Sequence, residues 1–474
     1  MEKAENIGHW TLWVSAVCYG LHSVWRVKYD VDFPDFLVEN SAFGQRDRAD
    51  FEWETWLPNA LLAAPFCLAN FMVASFLPSW KLLQIWRVVC SCAFLLYVIG
   101  PVSLLVLVQT ALFHALTVIT SRRAFSWATC LLALIYLNSV TYEPMLDESN
   151  SYLMGLVQSW VLMRNMSYCL DVQEKRAKAS LIQALAHALY LPLLFSGPVV
   201  MYDEYLQEEN TPRPAGLTKM RLMPLLIGMC RYLFWGFVLD LWLHLIYSAA
   251  LSQMVWQLQY VPIGTMYAIV YCLGQFFMLK YAVIYGLAGT LARAEGIPTK
   301  EPPKCIARIH LYSDMWRLFD PGLYTFLNRY INTPLREWCG SWLLASLCSF
   351  GFVYVWHGTA FYIFIWSALN WLGIVLERMA SAFLVTLDEE RETQTRKRVR
   401  ALLSTPLLLL AALSNGFFLA NYEAGIIFIS RFISSSTYSK VLLGVILYSC
   451  CFISQQVKES EIRRKGYKKS LIKL

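Results

Sequence analysis

One side chain in otherwise apolar surroundings has the type for proton chemistry, and a segment dense in polar and aromatic residues precedes it. His357 sits in FGFVYVWHGTAFYIFIWSALNWLG, a stretch with no other acidic or basic residue between Glu337 and Glu377. An ionisable group inside a membrane is costly, so it points to function. Histidine is the least expensive such residue because it is neutral near pH 7, and a structural histidine hydrogen-bonded between helices is the competing reading. A functional one takes a proton from a nucleophile, and Gly358 beside it lets backbone or ligand approach closely. The second group lies 37 residues earlier, in CIARIHLYSDMWRLFDPG (Cys305 to Gly322), where His310, Asp314, Arg317 and Asp320 mix with Trp316 and Phe319. That mixture reads either as an amphipathic interfacial helix with an aromatic belt or as a site for a polar head group.

Weaker signals accompany these. Ser196-Gly197-Pro198 interrupts an apolar run, as a re-entrant turn lining a cavity or a helix kink would. Asn415, in LLLLAALSNGFFLANYEAG, is polar among apolar residues; a hydrogen bond between helices is its alternative role. His114, His187 and His244 also lie in apolar runs, so one such residue proves little. The sequence contains no G-x-S-x-G, HExxH or Walker loop in its required context.

The elements that must hold these residues are membrane helices. Apolar runs fall near residues 7–25, 56–77, 83–101, 102–120, 125–140, 151–169, 181–201, 222–250, 261–290, 341–357, 359–379, 401–419 and 439–456. They predict an all-α polytopic membrane protein with about 10–12 membrane-embedded segments, some re-entrant or tilted. The first run follows no basic segment and ends in no small-residue cleavage site, so it reads as an uncleaved span. Asp388 to Arg400 holds five basic residues and Lys458 to Leu474 seven, which places both in the cytosol with two spans between them. Arg293 to Arg317 is expected there too. Asp30 to Glu54 carries eight acidic residues against Arg46 and Arg48, which suits the lumenal side and leaves the N-terminus cytosolic. Followed from these loops, His357 belongs toward the lumenal leaflet or membrane interior, and Asp320 starts from the cytosolic side.

Composition agrees. Of 474 residues 57% are hydrophobic and 15% charged, where a soluble protein has about 25% charged. With a mean hydropathy of +0.44, this excludes a soluble globular fold. No polar segment is long enough to fold alone, so residues 1–474 read as a single multi-pass membrane domain. A formal charge of +7 is a topology signal rather than a sign of nucleic-acid binding. The 13 cysteines lie mostly inside apolar runs without paired CxxC spacing, so neither a disulfide framework nor a zinc site is indicated.

This constellation resembles the membrane-bound O-acyltransferase family. PPKCIARIHLYSDMWRLFDPGLYTFLNRYI, FVYVWHGTAFYIFIWSALNWLGIVLE, DFEWETW (Asp50 to Trp56), SGPVV and LSNGFFLANYEAG carry the resemblance, which extends over nearly the whole chain and places the catalytic core at about 181–420. The stretches look most like the branch that transfers palmitate from palmitoyl-CoA to the N-terminal cysteine of a secreted hedgehog-type signal in the endoplasmic reticulum or Golgi membrane. The resemblance implies that His357 is the catalytic histidine and Asp320 the second essential residue. It further implies that Trp316 and Arg317 lie near acyl-CoA and that Asn415 lines the reaction chamber together with Gly197 and Pro198. Cys305 matches a family cysteine that ligates haem b, fifteen residues before Asp320. Gly358-Thr359-Ala360-Phe361 departs from the vertebrate pattern beside the motif histidine.

Under this reading His357 is the general base for the acceptor amine. Arg317, Lys304 and Arg308 attract CoA phosphates, and membrane lipids surround the chain. A lipid acceptor, either a lysophospholipid or a glycerolipid, keeps the fold and changes the product. A non-catalytic transporter or scaffold would use the histidines as proton relays or helix contacts.

Overall fold

The structure is a computed structural model that describes residues 2–140, 142–210, 216–305, 309–386 and 394–471. Helix α1 (Glu2–Asp30) leads into a hairpin of β1 (Val38–Ser41) and β2 (Gly44–Asp47), antiparallel with Val38 opposite Asp47 and Ser41 opposite Gly44. Then follow α2 (Phe51–Phe76), α3 (Trp80–Val98), α4 (Leu105–Thr120), α5 (Arg123–Ser139), α6 (Glu148–Gln173), α7 (Leu181–Ala188) and α8 (Tyr202–Asn210). The middle of the chain holds α9 (Lys219–Leu245), α10 (Ser248–Gln253), α11 (Val255–Leu258), α12 (Ile263–Glu295), α13 (Tyr312–Phe319), α14 (Pro321–Leu327) and α15 (Thr333–Cys339). The last helices are α16 (Trp342–His357), α17 (Phe361–Thr386), α18 (Gln394–Leu419), α19 (Tyr422–Ser434) and α20 (Thr437–Leu471).

Among the described residues, eight helices are long and apolar enough to cross a membrane: α2, α3, α4 with its lead-in from Pro101, α9, α12, α17, α18 and α20. The fold is thus an all-α polytopic membrane protein. Helix α16 is apolar but has only 16 residues, a length of about 24 Å. The run at 181–201 does not form one helix. It breaks after α7 into a single turn at Leu191–Leu193 and an irregular segment, and every residue from Leu189 to Tyr202 is buried. Irregular backbone survives at membrane depth only where protein covers it, and α6 supplies part of that cover. Buried Arg164 on α6 donates to the carbonyl oxygens of Ala188, at 2.9 Å, and Leu193. Helix α6 itself is buried on every face between Leu162 and Asp171, as a central helix should be.

Lipid is as apolar as a leucine-rich helix face, so burying apolar surface between spans gains little, and polar contacts carry more of the specificity. Two buried charge clamps fix α12. Lys280 pairs with Asp50 (2.8 Å) and Glu52 (2.7 Å) at the start of α2. Glu295 pairs with Arg87 of α3 at 2.8 Å and accepts from Asn70. The acidic DFEWETW motif is therefore an anchor for α12: Asp50 also caps α2 by accepting from the Trp53 amide.

The basic loop expected at Asp388 to Arg400 lies outside the described residues up to position 393. Two helices, α18 and α20, join it to the basic tail, with α19 between them.

Candidate active site

His357 is the last residue of α16, and the local sequence ends the helix there. Ser341 caps the start by accepting from the Leu344 amide, and Gly358 takes φ +114° at the other end, a conformation that residues with a Cβ rarely adopt. Contacts on both sides hold the turn. Asn138 of α5 donates to the Val355 carbonyl (3.0 Å) and accepts from the Thr359 amide (3.0 Å), while the Trp356 indole donates to the Ser159 carbonyl of α6.

The imidazole sits among rings from different helices. It meets Trp356 at 4.7 Å, Phe418 of α18 at 5.2 Å and Trp366 of α17 at 5.5 Å, each edge-on. Its nitrogens bond to no described residue, and neither is sealed from accessible space. From Phe418 a chain of ring contacts continues to Phe277, Tyr281 and Tyr285 along α12, then to Trp160 of α6, Trp356 and back to His357. Five of these seven rings are only half-buried. The result is a circuit of aromatic rings with one uncommitted base among them, which we take as the wall of the candidate chamber.

Asp320 enters from another side. It separates α13 from α14, and one carboxylate oxygen caps α14 by accepting from the Leu323 amide at 2.8 Å. The other accepts from the Tyr285 hydroxyl at 2.8 Å. Asp320 therefore reaches the chamber through Tyr285. Gly197 closes the same corner: a Cβ there would lie 2.6 Å from Tyr285 Cζ and 2.8 Å from its hydroxyl. Gly322 meets the backbone of Val199 as closely, so the SGPVV segment and the Asp320 turn fit only without side chains at these two positions. We expect Gly197→Ala to push the Tyr285 phenol off Asp320 and destabilise the corner by about 1–3 kcal/mol. Activity should fall with it, and Tyr285→Leu in the same chain, which removes the clash, should restore part of the stability. A Gly197→Ala protein with unchanged melting and turnover would contradict this geometry.

Asn415 acts on His357 at one remove. Its side-chain oxygen accepts from the Trp366 indole at 3.1 Å, and Trp366 stacks on Phe418 at 4.3 Å, so Asn415 fixes two rings that flank the imidazole. Its amide nitrogen bonds to no described residue. Trp316 extends this wall, 5.7 Å from Trp366, with its indole donating to Asn370.

The structure thus brings together His357, Asn415 and Trp316 through Trp366, and Asp320 and Gly197, with Pro198 next in chain, through Tyr285. Arg317 and Cys305 do not join them. Arg317 is 54% exposed and pairs with Asp314, which Lys458 of α20 also holds. Lys304 lies 3.8 Å from Glu461, and Arg308 is outside the described residues. Cys305 is half-buried beside Tyr271 and Cys450. Among the described residues no group of three or more His, Cys, Asp or Glu could hold a metal ion, and Cys305 stands apart from the rings around His357.

Tyr285, Tyr281, Phe277, Trp366 and Phe418 were not singled out by the sequence. The available signal is the spacing 277, 281, 285, which puts three aromatic rings on one face of α12.

Comparison with known proteins identifies the family. The model of the membrane-bound O-acyltransferase family matches residues 106–387, a range that contains Asp320 and His357. The chain is 28% identical over 463 residues to protein-cysteine N-palmitoyltransferase Rasp of Drosophila melanogaster, covering 90% of this chain and 89% of that protein. It is 26% identical over 471 residues to protein-cysteine N-palmitoyltransferase HHAT of Mus musculus, covering 92% and 93%. A shorter match, 24% over 215 residues, links it to membrane-bound O-acyltransferase GUP1 of Millerozyma farinosa and covers 44% of this chain and 41% of that one.

Proposed function

The chain belongs to the membrane-bound O-acyltransferase family, and from that premise we propose that it transfers palmitate from palmitoyl-CoA to the N-terminal cysteine of a secreted hedgehog-type protein. The observation that carries this reading is His357: an imidazole with both nitrogens uncommitted in the wall of an aromatic chamber, in a chain that matches two protein-cysteine N-palmitoyltransferases along about nine-tenths of its length.

The chemistry follows from these groups. An N-terminal amine has a pKa near 8, so much of it is protonated at neutral pH and cannot attack. His357 takes a proton from the amine nitrogen as that nitrogen attacks the thioester carbonyl carbon. The carbon–sulfur bond then breaks, the CoA sulfur leaves with the proton that His357 returns, and an amide remains. Asn415, whose oxygen is occupied by Trp366, has its amide hydrogens available for the developing oxyanion. The palmitoyl chain gains about 0.8 kcal/mol per buried CH2 between the aromatic side chains, and a thioester held still is attacked at lower entropic cost. Asp320, through Tyr285 and the SGPVV segment, shapes the acyl-CoA end of the chamber. This core spans about 181–420 of one membrane domain. Both termini face the cytosol of an endoplasmic reticulum or Golgi membrane, with CoA arriving from that side and the acceptor from the lumen.

The test offers palmitoyl-CoA to the purified protein with a cysteine-initiated hedgehog peptide, a lysophospholipid and a glycerolipid side by side. Label should enter the peptide. Label entering only a lipid would move the chain to another branch of the family.

A further inference from the structure

The helix that carries His357 is finished by a side chain from another helix. Past His357, the next bond of the α16 ladder would run from the Thr359 amide to the Val355 carbonyl, four residues back. Gly358 prevents it. Its backbone stands at φ +114° and ψ 149°, which takes the chain off the helical path and leaves those two groups without each other. A Cβ at this position would meet nothing closer than the Asn138 oxygen at 4.0 Å, so conformation and not space calls for glycine.

Asn138, next to last in α5, takes up both groups. Its NH2 donates to the Val355 carbonyl and its oxygen accepts from the Thr359 amide, each at 3.0 Å, so one side-chain amide is inserted where the helical bond would have closed. A carbonyl only accepts and an N–H only donates, which leaves a single orientation for that amide. Its second hydrogen goes to the Leu134 carbonyl of its own helix at 2.8 Å and fixes the direction of the side chain. Thr359 is held at its other end as well, where its carbonyl accepts from the Tyr354 hydroxyl at 2.9 Å. About three turns back along α5, Trp127 meets Phe352 of α16 edge-on at 6.2 Å, so the two helices also touch below the insertion. The imidazole bonds to no described residue, so its place is set by the surrounding rings and by the backbone that ends at this turn.

We infer that Asn138, an exposed side chain that touches no reacting group, is a positioning residue: it fixes the end of α16 and through it the place of the His357 imidazole. This rests on His357 being the general base, as proposed above. The test compares variants of the full chain. With Asn138→Ala, kcat for palmitoyl transfer should fall by about ten- to a hundredfold while KM for palmitoyl-CoA stays native, because Asp320, Tyr285 and Trp316 keep their contacts. Asn138→Asp keeps the acceptor for Thr359 and loses the donor to Val355, so its kcat should lie between; it carries the same comparisons if the alanine chain does not fold. Ser139→Ala, which removes a hydroxyl bonded within α5, should turn over as the native protein does. In a His357→Ala background, alanine at 138 should change the residual rate by less than about twofold, since its effect passes through a ring that is gone. The same fold-loss in both backgrounds would overturn the inference, and so would native kcat in Asn138→Ala. Hydrogen exchange at the Thr359 amide, faster in Asn138→Ala than in the native chain, reads the turn without any turnover. Unchanged exchange would by itself overturn the link. Native turnover in His357→Ala, with faster exchange in Asn138→Ala, would count against the base and not against the turn.

Discussion

Replacing His357 with alanine should lower the rate of palmitoyl transfer by about 10²- to 10⁴-fold, the usual worth of a positioned general base. The fold should survive. The imidazole makes no hydrogen bond to a described residue, so its removal strands no partner, and the lost ring contacts with Trp356, Trp366 and Phe418 cost only about 0.5–1.5 kcal/mol each. Those two facts separate a catalytic histidine from a structural one, which would take the fold with it. Melting of the purified variant should therefore stay close to native while turnover collapses. Loss of the base should also leave the remaining slow rate dependent on the titration of the acceptor amine alone. Native turnover in the variant would remove His357 from the mechanism.

Asp320→Ala should harm both stability and transfer, because this carboxylate is occupied where the imidazole is free. Its removal deprives α14 of its cap and leaves the Tyr285 hydroxyl, which is buried, without its acceptor. Lost caps cost about 0.5–2 kcal/mol and a stranded buried donor about 1–3 kcal/mol. The consequence for chemistry is indirect. Tyr285 would lose its fixed place between Gly197 and Asp320, and a displacement of about an ångström in a positioning group is enough to cost up to about 10²-fold in rate. The loss should appear in kcat/KM for palmitoyl-CoA. Asp320→Asn divides the causes: its amide oxygen can still cap α14 while its NH2 cannot accept from the Tyr285 hydroxyl, so the asparagine chain should melt between the native and alanine chains, and its remaining loss of transfer belongs to the Tyr285 contact and the negative charge. Unchanged kinetics and unchanged melting in Asp320→Ala would show that this corner does not support the chamber.

The helices were legible because hydropathy and length report directly on what must be buried in lipid. Of the thirteen apolar runs in the sequence, eight appear in helices able to span, and the run at 181–201 breaks after α7 into buried irregular backbone. The break at Ser196-Gly197-Pro198 could be seen in the sequence, but the need for glycine could not, since it comes from a phenol on α12, almost ninety residues away. His357 stood out as an ionisable residue in apolar company, and Asp320 as part of a dense polar and aromatic segment. The residues that connect them did not. Tyr281, Tyr285, Trp366 and Phe418 look like any aromatic side chain of a membrane helix, and whether such a ring faces lipid or a chamber depends on neighbours that spacing alone does not provide. The acidic stretch from Asp30 to Glu54 was visible as a charge pattern, yet the anchor that Asp50 and Glu52 make for α12 required α2 to be packed against it.

The most direct measurement of the central claim is the linkage of palmitate in the product of the side-by-side assay, read by mass spectrometry before and after hydroxylamine. Palmitate on the N-terminal nitrogen of the cysteine peptide, resistant to hydroxylamine and absent when that amine is acetylated beforehand, is the predicted result. Palmitate found only on added lipid, or equally on the acetylated peptide, would contradict it.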